Sequence, residues 1–296
     1  MARVATNAPD HLVMRLFAPG MSLLHRAGLG GLACTLKAME RQYEAGLLPK
    51  SKLPAPFDGE TPPWEIDEQS VTLKFGKPEH AGPYLKKLFE FAFNIRNDGL
   101  IFMPGQFYEP PPAAVLADLQ TGVLLTFLQH GRVRSLENQP TTVSYDPEGE
   151  GNPGVVVSYK RCSSYRHQSD WEQFVDRMGC LGSDVIKIDG PISPGAVVRH
   201  NAFPSQTAAE DPPDRMLPLL FAIVGCLALP INRGVAVLLV PDVENLLDFV
   251  VDRPAMTPTI VTQCQVANAA DAALQSQWRL RKGPVKQSEL MSRARS

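Results

Sequence analysis

Apolar residues recur at helical spacing in several parts of the chain. From Ser22, a residue type that commonly caps helices, the pattern predicts a helix ending near Ala45, directly before Gly46. The same spacing predicts helices over residues 78–94, 113–130, 243–250 and 266–280. The apolar stretch from Met216 to Leu229 predicts a buried helix, because it is shorter than the roughly 20 residues that cross a membrane.

Alternating or β-branched stretches predict strands between these helices. They are residues 11–17, 71–75, 100–103, 155–159, 196–199 and 234–240. Strands and helices follow one another irregularly, and the connections are long and rich in proline, as between Leu47 and Pro63. This order predicts an α+β fold with a mixed, largely antiparallel sheet, packed helices and long proline-rich loops.

Charge is distributed unevenly along the 296 residues. The whole chain has a formal charge of −2, but residues 277–296 hold six basic side chains against one acid and so carry +5. Residues 1–276 therefore carry about −7, and we predict one α+β domain over 1–276 followed by a basic C-terminal tail over 277–296. This balance excludes a uniformly basic nucleic-acid coat, so any nucleic-acid contact has to come from local patches.

The five cysteines are scattered, and no two of them have the spacing of a zinc knuckle or a CxxC motif. The sequence therefore predicts no metal site, and it fits a reducing compartment, which we take to be the cytoplasm. The N-terminus lacks an apolar signal core, so we predict no membrane partner. No cofactor is predicted either.

The segment 155–200 combines a β-branched start with many polar side chains. A strand over 155–159 that delivers a polar loop would present donors to DNA phosphates and base edges. The predicted phosphate contacts are Lys160, Arg161 and Arg166, and the predicted base contacts are His167 and Gln168. A second candidate group consists of Asn94, Arg96 and Asn97. The alternatives are a solvated loop for the first group and caps on backbone groups for the second.

Three glycines, Gly28, Gly30 and Gly31, lie inside the first predicted helix. Each costs roughly 1 kcal/mol relative to alanine, so we expect a compensating close approach of another element or of a partner chain. His25 and Arg26 would then face that partner, or else be ordinary surface residues. The other residues assigned to RNA or to a partner subunit are Arg132, Arg134, Arg199 and His200.

A nucleotide-dependent oxidoreductase that uses the glycine run is the enzyme alternative. Gly28-x-Gly30-x-x-Ala33 resembles a dinucleotide fingerprint, but a true fingerprint follows a strand and opens a helix. Cys162 and His167 are close enough in sequence for a nucleophile and its base, yet sequence proximity supplies neither an orienting acid nor an oxyanion hole. We therefore predict that the protein is not an enzyme.

Several short segments of the sequence, taken together, resemble one protein family. They are APGMSL and HRAGLGGL within 18–32, PWEID at 63–67, TFLQHG at 126–131, KRCSSY at 160–165, GPISPGAVVRH at 190–200 and RPAMTP at 253–258. As a set they are similar to the large subunit of the type I CRISPR Cascade complex, in its MYXAN-type or I-B form. This form includes the versions carried by CRISPR-associated transposons of cyanobacteria. The resemblance covers most of residues 11–280.

The resemblance implies a non-catalytic subunit beside the Cascade backbone subunits. It would bind the 5′ end region of the guide RNA and recognise the protospacer-adjacent motif in double-stranded target DNA. Guide pairing reads the target itself, so a short duplex contact is enough for the protein. A helicase-nuclease or transposition proteins such as TniQ are open alternatives for further partners. A purely structural scaffold subunit is the third hypothesis.

Large subunits of this kind usually continue into a C-terminal helical bundle. A length of 296 residues leaves little room for one, so we expect a truncated or split version that lacks most of the bundle. No motif of the family marks its DNA-reading residues. The site residues above therefore rest on local chemistry.

Overall fold

The computed structural model describes residues 8–57, 61–146, 154–182, 184–194, 207–232 and 234–282, and they form an α+β fold, as predicted. The predicted strand over 196–199 lies outside the described residues. The helices are α1 (Leu23–Glu44), α2 (Ala81–Ala92), α3 (Ala113–Leu125), α4 (Pro213–Gly225), α5 (Leu246–Met256) and α6 (Ala269–Lys282). None of these helices combines the length and apolar composition that crossing a bilayer requires.

The strands form small antiparallel sheets rather than one large sheet. Strands β1 (His11–Arg15), β2 (Trp64–Ile66) and β3 (Ser70–Lys74) make a three-stranded sheet in the order β1-β3-β2. The remaining described strands pair as hairpins or two-stranded sheets. They are β4 (Asn94–Ile95) with β5 (Ile101–Phe102), β6 (Arg134–Tyr145) with β7 (Val155–Tyr165), β8 (Ile186–Asp189) with β9 (Ala208–Asp211), and β10 (Leu227–Asn232) with β11 (Val235–Leu239).

The glycines of α1 allow its backbone to touch that of α4. A Cβ at Gly28 would lie 1.8 Å from the carbonyl oxygen of Pro218, and one at Gly31 would lie 2.4 Å from that of Phe221. The expected close approach is therefore made by an element of the same chain. A glycine run buried inside a helix cannot cradle a dinucleotide, so this geometry removes the oxidoreductase alternative.

Three predicted boundaries are wrong. The apolar stretch Met216–Leu229 is divided between α4 and β10, because β11 offers backbone partners to its second half. Helix α3 ends at Leu125, before the predicted end at residue 130. The helix predicted over 243–250 instead runs, as α5, from Leu246 to Met256.

Helix α6 reaches Lys282 and so extends into the predicted basic tail. Arg279, counted in that tail, is 7% exposed, and its Nε donates to the carbonyl oxygen of Met256 over 2.8 Å. This arginine therefore attaches α6 to the end of α5 and does not belong to a free basic surface.

The β6–β7 ribbon covers α3. Val157 and Tyr159 of β7 are buried in an apolar cluster with Val115 and Leu119 of α3. The intervening residues Ser158 and Lys160 are exposed, as the two-residue period of a strand requires. The ribbon thus has one face on the core and one face in solvent.

Candidate nucleic-acid interface

The turn between β4 and β5 packs against the middle of β7. The amide of Cys162 donates to the carbonyl oxygen of Gly99 over 2.8 Å, and the Tyr159 hydroxyl donates to that of Asp98 over 3.0 Å. Gly99 has φ +76°, and a Cβ there would lie 2.9 Å from the Arg161 Cα, so this close approach requires glycine. The two groups of DNA-binding candidates, which are distant in sequence, are therefore neighbours in space.

Gln120 holds this junction from the α3 side. Its side chain is buried, its Oε1 accepts from the amide of Ile101 over 2.8 Å, and its Nε2 donates to the carbonyl oxygen of Lys160 over 2.7 Å. One amide thus links β5 to β7. Gln120 is missing from the sequence-based predictions, although a polar residue among apolar positions on one helix face is a usable signal, since buried amides are hydrogen-bonded.

Three of the candidates present their side chains to solvent. They are Lys160 on the outer face of β7, Asn94 on β4 and Asn97 on the turn that follows β4. Residues 94–98 line an open depression of about 490 Å³. Exposed ammonium and amide groups can donate both to phosphates and to base edges.

Arg96 and Arg161 are engaged by neighbouring protein groups. Arg161 Nη2 donates to the carbonyl oxygen of Asn97 over 2.8 Å, and its Nε lies 3.5 Å from Glu137 Oε1. Arg96 Nη2 lies 2.9 Å from Asp98 Oδ2. Each guanidinium therefore stabilises the turn. Both side chains remain partly exposed, so only part of each guanidinium is accessible to another ligand.

The polar stretch over 160–168 is a strand and a short 3-10 turn instead of a loop. Strand β7 continues through Tyr165 because β6 supplies a partner as far as Arg134, which lies opposite it. The turn of residues 166–168 follows at once. The side chains expected on one polar loop therefore lie on two different elements.

Arg166 and Gln168 are bound within the protein. Arg166 Nε donates to Asp170 Oδ1 over 2.9 Å, and its Nη1 donates to the carbonyl oxygen of Asp189. Gln168 Nε2 donates to the carbonyl oxygen of Phe93 over 3.1 Å, while its Oε1 accepts from the amide of Tyr165. These internal bonds correct both assignments as DNA contacts.

His167 is buried and cannot reach a base edge. It is 2% exposed, and its ring centroid lies 5.3 Å from that of Phe93 and 6.0 Å from that of Tyr165. Burial, with a smaller contribution from the Arg166 guanidinium, lowers the pKa of His167 to about 3. Its assignment as a base contact is thereby corrected to a neutral core position.

We expect this buried imidazole to destabilise the fold in mild acid. The folded pKa, about 3, lies below the ordinary histidine pKa of 6.5, so stability is complete above pH 6.5 and falls as the pH drops towards 3. By pH 5 the loss should be of the order of 2 kcal/mol. The measurement is the free energy of unfolding in urea from pH 7 to 5, for the wild type and for His167→Phe.

His167→Phe is the control for the wild type, because it keeps an aromatic ring at this position but cannot bind a proton. Its unfolding free energy should depend less on pH over this range. Parallel curves for the two proteins would contradict the assignment of His167 as a buried neutral base.

Cys162 and His167 do not have the properties of a nucleophile and its base. Burial raises the pKa of the Cys162 thiol to about 11, and the thiol donates to the carbonyl oxygen of Ser164 over 3.4 Å. A reactive cysteine needs a lowered pKa, and a general base needs one near the working pH. Burial moves the pKa of Cys162 and the pKa of His167 away from these requirements, so this pair supports no acyl transfer.

His25 and Arg26 have roles inside the fold. His25 Nδ1 accepts from the amide of Ser22 over 3.3 Å, and its Nε2 lies 3.2 Å from Asp211 Oδ2. Arg26 lies 2.7 Å from Asp242, and its guanidinium covers the Phe17 ring at 5.4 Å from the centroid. These contacts correct the expectation that the two residues face a partner across the glycines.

Of the remaining partner candidates, only one is exposed in the described part of the chain. Arg134 Nη1 donates to the carbonyl oxygens of Leu124 and Leu128, and so satisfies the C-terminal end of α3. Arg132 is exposed. Arg199 and His200 lie outside the described residues.

Among the described residues, no group of three or more His, Cys, Asp or Glu side chains is placed to hold a metal ion.

Comparison with known proteins identifies a matching family model and a similar protein. The family model described as "DevT N-terminal domain" matches residues 13–220, which include every candidate DNA contact. A protein of Myxococcus xanthus (strain DK1622), described as "CRISPR-associated protein Cas8a1/Csx13", is 33% identical over 278 residues, which make up 91% of this chain and 45% of that protein. The chain thus spans less than half the length of this relative.

Proposed function

This chain belongs to the DevT N-terminal domain family, and from its similarity to a CRISPR-associated protein of Myxococcus xanthus we propose that it is a CRISPR-associated large subunit. In the complex it binds the 5′ end region of the guide RNA and contacts the protospacer-adjacent motif of double-stranded target DNA. The backbone subunits of Cascade are its protein partners. It has no catalytic role of its own.

The observation that carries this proposal is the surface where the 94–98 turn meets β7. Lys160, Asn94 and Asn97 are exposed there, on backbone segments that Gln120 and Gly99 join. In this surface Lys160 contacts a DNA phosphate, and the two asparagines face the groove. Arg161 and Arg96 position the turn and act on DNA only through it.

The net charge of the chain fits a contact with only a short segment of DNA. A formal charge of −2 gives little attraction for arbitrary DNA. A strongly basic surface would bind any sequence through phosphates and so reduce discrimination. Because guide pairing reads the target sequence, the protein has to read only a short duplex segment.

Further partners follow from the same assignment. A helicase-nuclease would join a complex that degrades DNA, whereas transposition proteins such as TniQ would join one that directs insertion. These partners complete the proposal without changing the duplex contact.

The test is target-DNA binding by the assembled complex of guide RNA, backbone subunits and this chain. Lys160→Ala should weaken binding equally on all motif variants, because the lost contact is to a phosphate. The slope of log K against log salt concentration should fall by about one. Binding is measured at several salt concentrations, on a set of duplexes that differ only in the adjacent motif.

Lys86→Ala is the matched control, since Lys86 is an exposed lysine of α2, away from the ribbon. It should leave both affinity and salt slope unchanged. If omission of the whole chain has no effect on DNA binding, or if Lys160→Ala behaves like Lys86→Ala, the duplex contact is refuted. A complex that needs the chain only for assembly would instead support the scaffold hypothesis.

A further inference from the structure

Strand β6 contains a bulge beside the surface described above. Leu136 pairs with Cys162 and Pro140 pairs with Lys160, so three residues of β6, Glu137 to Gln139, face only Arg161 of β7. Extra residues of this kind bend a strand and redirect its side chains, and they occur often beside functional sites. The bulge ends at the cross-strand neighbour of Lys160.

The three residues of the bulge are exposed, but they are not equivalent. Glu137 Oε1 lies 3.5 Å from Arg161 Nε, and Arg161 in turn donates to the carbonyl oxygen of Asn97. The one carboxylate of the bulge is thus balanced by an arginine that also holds the 94–98 turn. Asn138 and Gln139 are left as two exposed amides beside that pair.

We propose that Asn138 and Gln139 read base edges in the major groove of the duplex that Lys160 contacts through a phosphate. This inference rests on the proposed function and names the residues that give it sequence preference. The chemistry points to adenine, because asparagine and glutamine amides can pair in a bidentate way with its N6 and N7 atoms. The ligand is therefore an A·T base pair of the adjacent motif.

The shape of the ribbon suits this assignment. A two-stranded antiparallel ribbon fits the major groove of B-form DNA. Its outer face carries Thr142 opposite Ser158 and Pro140 opposite Lys160, all four exposed. Hydroxyl groups and an ammonium can donate to phosphates on either side, and none of these four residues carries a carboxylate that would repel the phosphates.

Strand β7 of the ribbon is fixed on the core, as a surface that recognises bases requires. Val157 and Tyr159 are buried on α3, and the carbonyl oxygen of Lys160 accepts from Gln120. The part of β7 that pairs with the end of the bulge is therefore held on the core. Reading groups held by strands are more accurately placed than groups on free loops.

The experiment uses the assembled complex and a library of duplexes with every adjacent motif. In Asn138→Ala plus Gln139→Ala, affinity for the preferred motif should fall about tenfold, and discrimination at one or two A·T positions should be lost. The salt slope should remain that of the wild type, because no phosphate contact is removed. Gln69→Ala, an exposed amide near the turn between β2 and β3, should change nothing.

The outcomes separate the two proposals. If Lys160→Ala lowers the salt slope but the double variant keeps the wild-type motif preference, the base-reading inference is overturned and the duplex contact stands. If the double variant instead weakens assembly with the backbone subunits or with guide RNA, the bulge is a protein or RNA contact and the inference is again overturned. If the chain contributes nothing to DNA binding, both proposals fail.

Discussion

Replacing Gly28 with alanine is expected to destabilise the protein by more than about 3 kcal/mol. The new Cβ would lie 1.8 Å from the carbonyl oxygen of Pro218, whereas real Cβ contacts are essentially never shorter than 3.0 Å. Both sides of this contact are backbone, so no rotamer change can relieve it, and α1 and α4 must move apart. The gain in helix propensity, about 1 kcal/mol, is too small to offset the cost.

Alanine substitutions at two further glycines allow three different losses of stability to be compared. A Cβ at Gly131 would meet nothing within 4 Å, and this glycine lacks a positive φ, so Gly131→Ala should be neutral or slightly stabilising. A Cβ at Gly30 would meet the Phe249 ring at 2.4 Å, and a side chain can turn away. We therefore expect the loss of unfolding free energy to increase from Gly131→Ala to Gly30→Ala to Gly28→Ala.

Unfolding in urea, followed by far-UV circular dichroism, measures this order. Where Gly28→Ala gives too little folded protein, its soluble yield relative to the other two variants serves as the readout. Equal stabilities for Gly28→Ala and Gly131→Ala would contradict the contact between α1 and α4. They would also reopen the question of what the glycines of α1 are for.

Local signals predicted α1 almost to the residue. Ser22 is the N-cap, the helix ends at Glu44, and Gly46 follows with φ +71°. Each of these signals acts within a few residues, so the sequence around it contains all the information. The close approach at the glycines was also predictable, but whether another element or a partner chain makes it depends on α4, nearly 200 residues later.

Elements whose partners are distant in sequence were predicted poorly. Polar composition made residues 160–165 look like a loop, yet they continue β7 because β6 pairs with them. Strand β6 was missed, since most of it is exposed and it contains Pro140, which breaks an alternating pattern. Backbone pairing, which composition does not report, decided both cases.

The candidate site was predicted in the same uneven way. Lys160, Asn94 and Asn97 were selected by residue type and are exposed, whereas His167 was selected on the same grounds and is buried. Burial depends on the aromatic side chains of Phe93 and Tyr165, the first of which lies at the C-terminal end of α2, far away in sequence. Residue type indicates what a side chain can do, while tertiary packing decides whether it is available.

The second large effect is expected at Arg253, which is fully buried. Its Nε lies 2.9 Å and 2.8 Å from the carbonyl oxygens of Val224 and Gly225, and its Nη2 donates to that of Cys226 over 2.7 Å. These oxygens lie at the C-terminal end of α4, where a helix lacks internal partners and carries partial negative charge. One guanidinium therefore satisfies the end of the helix that packs on α1.

Burial lowers the pKa of Arg253 to about 10, so the side chain stays charged at neutral pH. Replacing a buried ion pair with apolar residues can be neutral when both partners are removed. Here three of the partners are backbone carbonyl groups, which no substitution removes. Arg253→Met, which keeps much of the volume, should therefore leave buried acceptors unpaired and cost about 4 kcal/mol or more.

Arg132→Met is the matched control, because Arg132 is exposed, and it should change the free energy of unfolding by less than about 0.5 kcal/mol. Arg253→Lys keeps the charge but loses the planar fork that reaches several acceptors at once, so it should recover only part of the loss. Chemical unfolding of the three variants and the wild type measures these differences. If Arg253→Met were as stable as Arg132→Met, the end of α4 would not depend on this guanidinium, and if Arg253→Lys were fully stable, charge alone would be enough there.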